Sequence, residues 1–112
     1  ILLARAEALN ELNGPDEEAI NLINQVRARA GVPDLSVADF ATKEALRDHI
    51  VQERAWEFYE EGHRRTDLIR MSKFVEFAKK RGVENAAEYR LLYPIPQAAL
   101  DANPLLKQNP GY

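Results

Sequence analysis

Apolar residues recur at helical spacing through most of the chain. In residues 1–12, Leu2, Leu3, Ala6, Leu9 and Leu12 form one broad stripe. Asn13-Gly14 supplies a stop, because both residues tolerate the left-handed backbone that a helix end needs. Pro15 reads as the first position of a second helix, with Asp16, Glu17 and Glu18 at its positive end. There Ala19, Leu22, Ile23, Val26 and Ala30 repeat on one face until Gly31 and Pro33 end it. Two helices joined by so short a turn run antiparallel. Residues 34–42 read as a loop with room for one short turn. Thr42 reads as the N-cap of the longest helix, 43–61, which carries Leu46, Ile50, Val51, Ala55, Trp56, Phe58 and Tyr59, with Trp56 read as core. Gly62 breaks it. Helices over 64–71 and 74–80 follow, and 82–90 shows no clear pattern. Four of the six prolines lie in the last nineteen residues. In that tail Tyr93–Ile95 reads as extended, Pro96 as the start of a short helix, and Asn103-Pro104 and Asn109-Pro110-Gly111 as turns. No strand alternation occurs, so the fold class is all-α with an irregular, proline-rich tail.

A helical hairpin over residues 1–33 has the size of one tetratricopeptide unit, and Ala19, Ile23 and Val26 match the spacing of that repeat's second helix. Pro33 falls two residues late for its closing proline. One such unit cannot bury its faces alone, so the further helices of 43–81 are expected to stack on it, leaving 90–112 as the tail.

Composition narrows the chemistry. The chain has 112 residues, 46% hydrophobic and 29% charged, which suits a folded protein rather than a disordered one. Its net charge of -3 disfavours sequence-independent binding to nucleic acid. With no cysteine, the chain holds no disulfide, thiolate zinc site or cysteine nucleophile. No uncharged apolar stretch approaches the ~18 residues of a membrane-spanning helix. The chain opens at Ile1 already in helical pattern, which reads as a piece of a longer protein.

The densest chemistry lies in residues 53–70, ERAWEFYEEGHRRTDLIR. Glu53, Glu57 and Glu61 stand four apart, and Arg64, Asp67 and Arg70 follow beyond Gly62. Neighbouring carboxylates can push each other's pKa apart and so serve acid/base catalysis. The same set can be a structural ion network that fixes one helix to the next through arginine forks. A ladder along one helix does not face carboxylates across a cleft, so the structural network is the preferred reading and no catalytic residue is assigned. Glu60-x-x-His63 has the spacing of a helical di-iron motif, but the second pair it requires is absent, and no metal site or cofactor is assigned. Ser36 and Ser72 sit in no nucleophile turn, and no glycine-rich phosphate loop exists.

Taken in order, LLARAEALNELNG, AINLINQVRARAG, LRDHIVQERAWEFYEEGHRRTDLIR and YPIPQAALDANPLLKQNPGY closely resemble the C-terminal part of the SusD/RagB family of nutrient-binding outer-membrane lipoproteins. The pattern of Glu53-Arg54, Glu57-Phe58, Glu61-Gly62, Arg64, Asp67-Leu68 and Arg70 matches the family, as does Tyr93-Pro94-Ile95-Pro96, Asn103-Pro104 and Gln108-Asn109-Pro110-Gly111-Tyr112. The departures are Arg65 and Thr66, where aromatic residues are common, and Ser72, where a glycine is usual. The resemblance implies a mostly helical fold built on tetratricopeptide-like units. It implies a binding protein rather than an enzyme, anchored to the outer face of the outer membrane by a lipid on an upstream cysteine. Its partners would be a TonB-dependent (SusC-like) transporter, which it caps, and a poly- or oligosaccharide ligand. The ligand-binding loops of the family lie largely outside this region, so no residue here is taken as ligand-binding. The alternative from another class is a free-standing tetratricopeptide-like module for protein–protein interaction.

Overall fold

The helix ends are written by short polar side chains and left-handed turns. The computed structural model describes residues 1–112 and contains six α-helices, two 3-10 turns and no strand. They are α1 Leu2–Asn13, α2 Glu17–Ala30, α3 Lys43–Glu57, α4 His63–Arg70, α5 Phe74–Lys80 and α6 Gln97–Ala102. The 3-10 turns are Val37–Asp39 and Glu88–Leu91. The chain divides into two compact units, Ile1–Asp67 and Leu68–Tyr112.

In the first unit α1 packs on both α2 and α3, giving the antiparallel hairpin and third helix of a tetratricopeptide-like stack. Its centre is Leu3 and Ala6 from α1, Ala19, Ile20, Leu22 and Ile23 from α2, and Leu46 and Ile50 from α3. The buried stripe of α1 runs through Leu3, Ala6 and Asn10, whereas Leu2 and Leu12 of the predicted stripe are exposed. Asn10 is fully buried and donates from Nδ2 to the carbonyl of Lys43, 3.0 Å away. The end of α1 is tied again to α3 by Lys43 Nζ, which donates to the Glu11 carbonyl at 2.6 Å. Arg47 forks onto Glu11, Nε to Oε1 and Nη2 to Oε2, each at 2.5 Å. These guanidinium hydrogen bonds, with the positive field of Arg47 and Lys43, hold the Glu11 carboxyl below its ordinary range.

The second helix starts two residues later than Pro15 suggests. Asp16 is its N-cap, with Oδ1 accepting from the Ala19 amide at 2.7 Å, and Pro15 belongs to the turn. Gly31 closes α2 in the left-handed conformation, φ 70°. Asn24 then pins the following loop to α2: its side-chain amide exchanges two hydrogen bonds of 2.9 Å with the backbone of Leu35. Thr42 caps α3 as its sequence predicts, accepting from the Ala45 amide at 3.1 Å.

The third helix ends at Glu57, four residues short of the predicted boundary. Phe58 is its C-cap, and Glu60 adopts a left-handed φ of 63° before Gly62 does the same at 80°. The helix therefore unwinds ahead of the glycine, and Glu61 is not on it.

In the second unit Leu68, Val75 and Ala78 are buried. Ser72 adopts φ 57°, which accounts for the glycine usual at this place in the resemblance. The tail has little helix, and side chains take over the pairing of its backbone. The Gln108 amide accepts from Ile95 N–H at 2.8 Å and donates to its carbonyl at 2.9 Å. Asn109 Nδ2 donates to the Tyr93 carbonyl at 2.7 Å, and the Tyr112 hydroxyl donates to that of Leu92 at 2.9 Å. Thus Gln108, Asn109 and Tyr112 satisfy the extended, proline-interrupted segment that could not sustain a sheet ladder. Gly111 lets the chain pass Tyr89: a Cβ there would meet the Tyr89 ring 2.5 Å away.

Candidate functional site

The acidic and basic side chains of 53–70 are organised by α3, which presents Glu53 and Glu57 one turn apart toward α2. Glu53 is only 5% exposed. It pairs with Arg27 of α2, and His49 Nε2 lies 2.9 Å from the same Oε1. Glu57 pairs with Arg29, two residues along α2. Both glutamates are therefore engaged by arginines of the preceding helix, 26 and 28 residues away in sequence. Glu61 is exposed, beyond the end of the helix.

Across Gly62 the connection is made by Arg54, the residue after Glu53. Its Nε donates to Asp67 Oδ2 at 2.8 Å and its Nη2 to Oδ1 at 3.0 Å. Asp67 is 4% exposed, so the fork is largely shielded from water. The Arg54 guanidinium also lies 5.0 Å from the centre of the Phe58 ring, which in turn meets the His63 ring edge-on at 5.2 Å. Arg64 Nη1 donates to the Val51 carbonyl at 2.8 Å, reaching back into α3. Arg70 lies on the last turn of α4, in the second unit. Glu60 is exposed on its left-handed turn, and His63 opens α4 against Phe58, so the Glu60-x-x-His63 spacing is not on one helix.

The chemistry open to this arrangement is limited. The two carboxylates of the α3 ladder spend an oxygen each on guanidinium partners, and Asp67 spends both. Glu53 and Glu57 lie along one face of α3 and do not oppose one another across a gap.

One feature of this face runs against the sequence reading. Trp56, read as core, is 59% exposed. Trp56 lies at the flank of the face that buries Leu46, Ile50 and Glu53, where neighbouring helices do not cover it, and Tyr59 is exposed as well. Trp56 instead forms one wall of a cleft of about 500 Å³ between the end of α2 and α3. Val26, Ala30, Val32 and Pro33 supply its apolar lining, and the Arg27–Glu53 and Arg29–Glu57 pairs complete it. Behind Trp56 stands a row of rings: His49 meets it nearly perpendicular at 6.3 Å, and Phe40 meets His49 at 5.1 Å. Arg27 and Arg29 leave no local signal in the sequence, because their partners are set by helix packing rather than spacing.

Comparison with known proteins gives a consistent result over the whole chain. The model of the SusD family matches residues 1–112. The SusD-like protein P38 of Formosa agariphila is 36% identical over 118 residues, covering 100% of this chain and 23% of its own length. The starch-binding protein SusD of Bacteroides thetaiotaomicron is 33% identical over 117 residues, covering 98% of this chain and 20% of its own. A crystal structure of a SusD homologue from B. thetaiotaomicron superposes with a TM-score of 0.73 at 36% identity, covering 99% of this chain and 25% of that one. A SusD-like protein of Bacteroides fragilis gives 0.75 at 27% identity, covering 99% and 24%. This chain thus spans about a quarter or less of the length of the relatives it matches.

Proposed function

The chain belongs to the SusD family, and on that premise we propose that it is the helical scaffold of a glycan-binding protein of nutrient uptake that works with a SusC-like, TonB-dependent transporter. In this reading the protein is lipid-anchored on the outer face of the outer membrane, captures a poly- or oligosaccharide, caps the transporter barrel and hands the ligand over. It binds and does not transform its ligand.

The observation that carries the reading is the family match from residue 1 to residue 112, reinforced by a starch-binding relative at 33% identity. The geometry supports the scaffold role. Glu53, Glu57, Arg64 and Asp67 are spent on α2, on the α3 backbone and on Arg54, as a brace would require. The α1–α2 hairpin alone would also suit a free-standing tetratricopeptide-like adaptor; the family match across all four sequence segments favours the lipoprotein.

The test is affinity isolation of the full chain, tagged, from Gram-negative outer membranes, together with a glycan array. Co-isolation of a large TonB-dependent barrel and retention of at least one glycan class are expected. Isolation with soluble peptide partners and no barrel would favour the adaptor and overturn the proposal.

A further inference from the structure

From the cleft between α2 and α3 we infer that Trp56 is a stacking platform for a neutral oligosaccharide, held in a site built by Arg27, Arg29, Glu53 and Glu57. The inference rests on the glycan-binding reading above and gives it a location on this chain.

Three observations converge on this ligand. The indole is exposed but not free-swinging: His49 braces its edge, Phe40 braces His49, and His49 is held beside the buried Glu53. An aromatic face fixed before binding loses little entropy when a ligand stacks on it. Next, the charges lining the cleft cancel, two guanidiniums against two carboxylates in pairs. The lining thus carries no net charge to favour a cationic or an anionic partner. It suits a sugar ring, since its hydroxyls both donate and accept and can bridge the carboxylate and the guanidinium of one pair. Finally, the rest of the lining is aliphatic, from Val26, Ala30, Val32 and Pro33. A hexose carries an apolar C–H face and a polar rim, which this combination matches. The cleft volume of about 500 Å³ lies within the ~300–1,000 Å³ common for small-molecule sites.

Trp56 is the single tryptophan of the sequence, so its emission reports on the cleft directly. The experiment titrates the full chain with maltoheptaose, cellohexaose and xylohexaose, following tryptophan emission and, in parallel, heat of binding. A saturable emission change with at least one oligosaccharide is expected. Arg29→Ala should weaken that binding about tenfold, equivalent to ~1.4 kcal/mol. Trp56→Phe should retain most of the binding measured by calorimetry, and Trp56→Ala should lose it at an unchanged melting temperature. If the wild-type chain binds a glycan and Trp56→Ala binds it equally well, the site is wrong while the proposed function stands. If no oligosaccharide binds but the chain still co-isolates with a transporter barrel, the site is again wrong and the partner reading survives. If neither glycan nor barrel is held, both fail.

Discussion

Arg54 and Asp67 form a two-point fork across the Gly62 bend, with hydrogen bonds of 2.8 and 3.0 Å between a mostly buried guanidinium and a carboxylate almost closed to solvent. The pair joins the end of α3 to α4 where the backbone between them is irregular. Removing the cation leaves a buried carboxylate short of its main partner, which is far costlier than never having had the pair. Arg54→Ala should therefore destabilise the chain by about 3 kcal/mol, read from urea unfolding. Arg54→Lys should recover only part of this, because a point charge cannot reproduce the fork.

The Glu11–Arg47 fork makes part of the stability depend on pH. The folded carboxyl titrates below its ordinary value of 4.5, chiefly through the Arg47 hydrogen bonds. The unfolded chain then binds the proton first as pH falls. The contribution is complete above about pH 4.5 and is lost as pH drops through the lower folded value. Glu11 is partly open to solvent, so the effect is no more than about 1 kcal/mol. Unfolding midpoints should fall between about pH 5 and pH 3, and Glu11→Gln should flatten that part of the profile.

Ser72 sits in the left-handed region at φ 57°, a conformation glycine adopts without strain. Ser72→Gly should stabilise by roughly 0.5 kcal/mol, the relief of strain exceeding the added freedom of the unfolded chain. Ser72→Val should destabilise by at least ~1 kcal/mol, because a β-branched residue tolerates this backbone poorly. Paired chemical denaturation curves check both signs.

Gln108 gives Ile95 both of its backbone hydrogen bonds, at 2.8 and 2.9 Å. Gln108→Ala should release them together and cost about 1 to 2 kcal/mol locally. Hydrogen exchange at the Ile95 amide is the measurement: protection should drop sharply there while Ile20 and Ile50 in the first unit stay protected.

The parts of this fold written locally are the parts legible in the sequence. Thr42 as a cap, Gly31 as a stop, and Phe74–Lys80 as a helix depend on residues a few positions apart, and all three are found. Pro15 marks the start of α2 too early because Pro15 and Asp16 compete for the first turn, and the carboxylate that can accept from Ala19 wins. Gly62 marks the end of α3 too late because it dominates the pattern, while the unwinding begins at Phe58 and turns left-handed at Glu60. Around the candidate site, residues 53–70 stood out by density of charge. Their partners Arg27 and Arg29 did not, since only packing of α2 on α3 brings them near. Trp56 shows the limit of helical periodicity: it identifies an apolar face but not how far the neighbouring helices cover it.

The charged segment around Gly62 is proposed to brace helices and to transform no substrate. A double-mutant cycle on Arg54→Ala and Asp67→Ala, by urea unfolding with oligosaccharide binding measured on each variant that folds, tests it most directly. A coupling energy of at least ~1.5 kcal/mol and unchanged affinity for ligand are expected. Coupling within ~0.3 kcal/mol of zero, with ligand binding or turnover lost in the single variants, would contradict it.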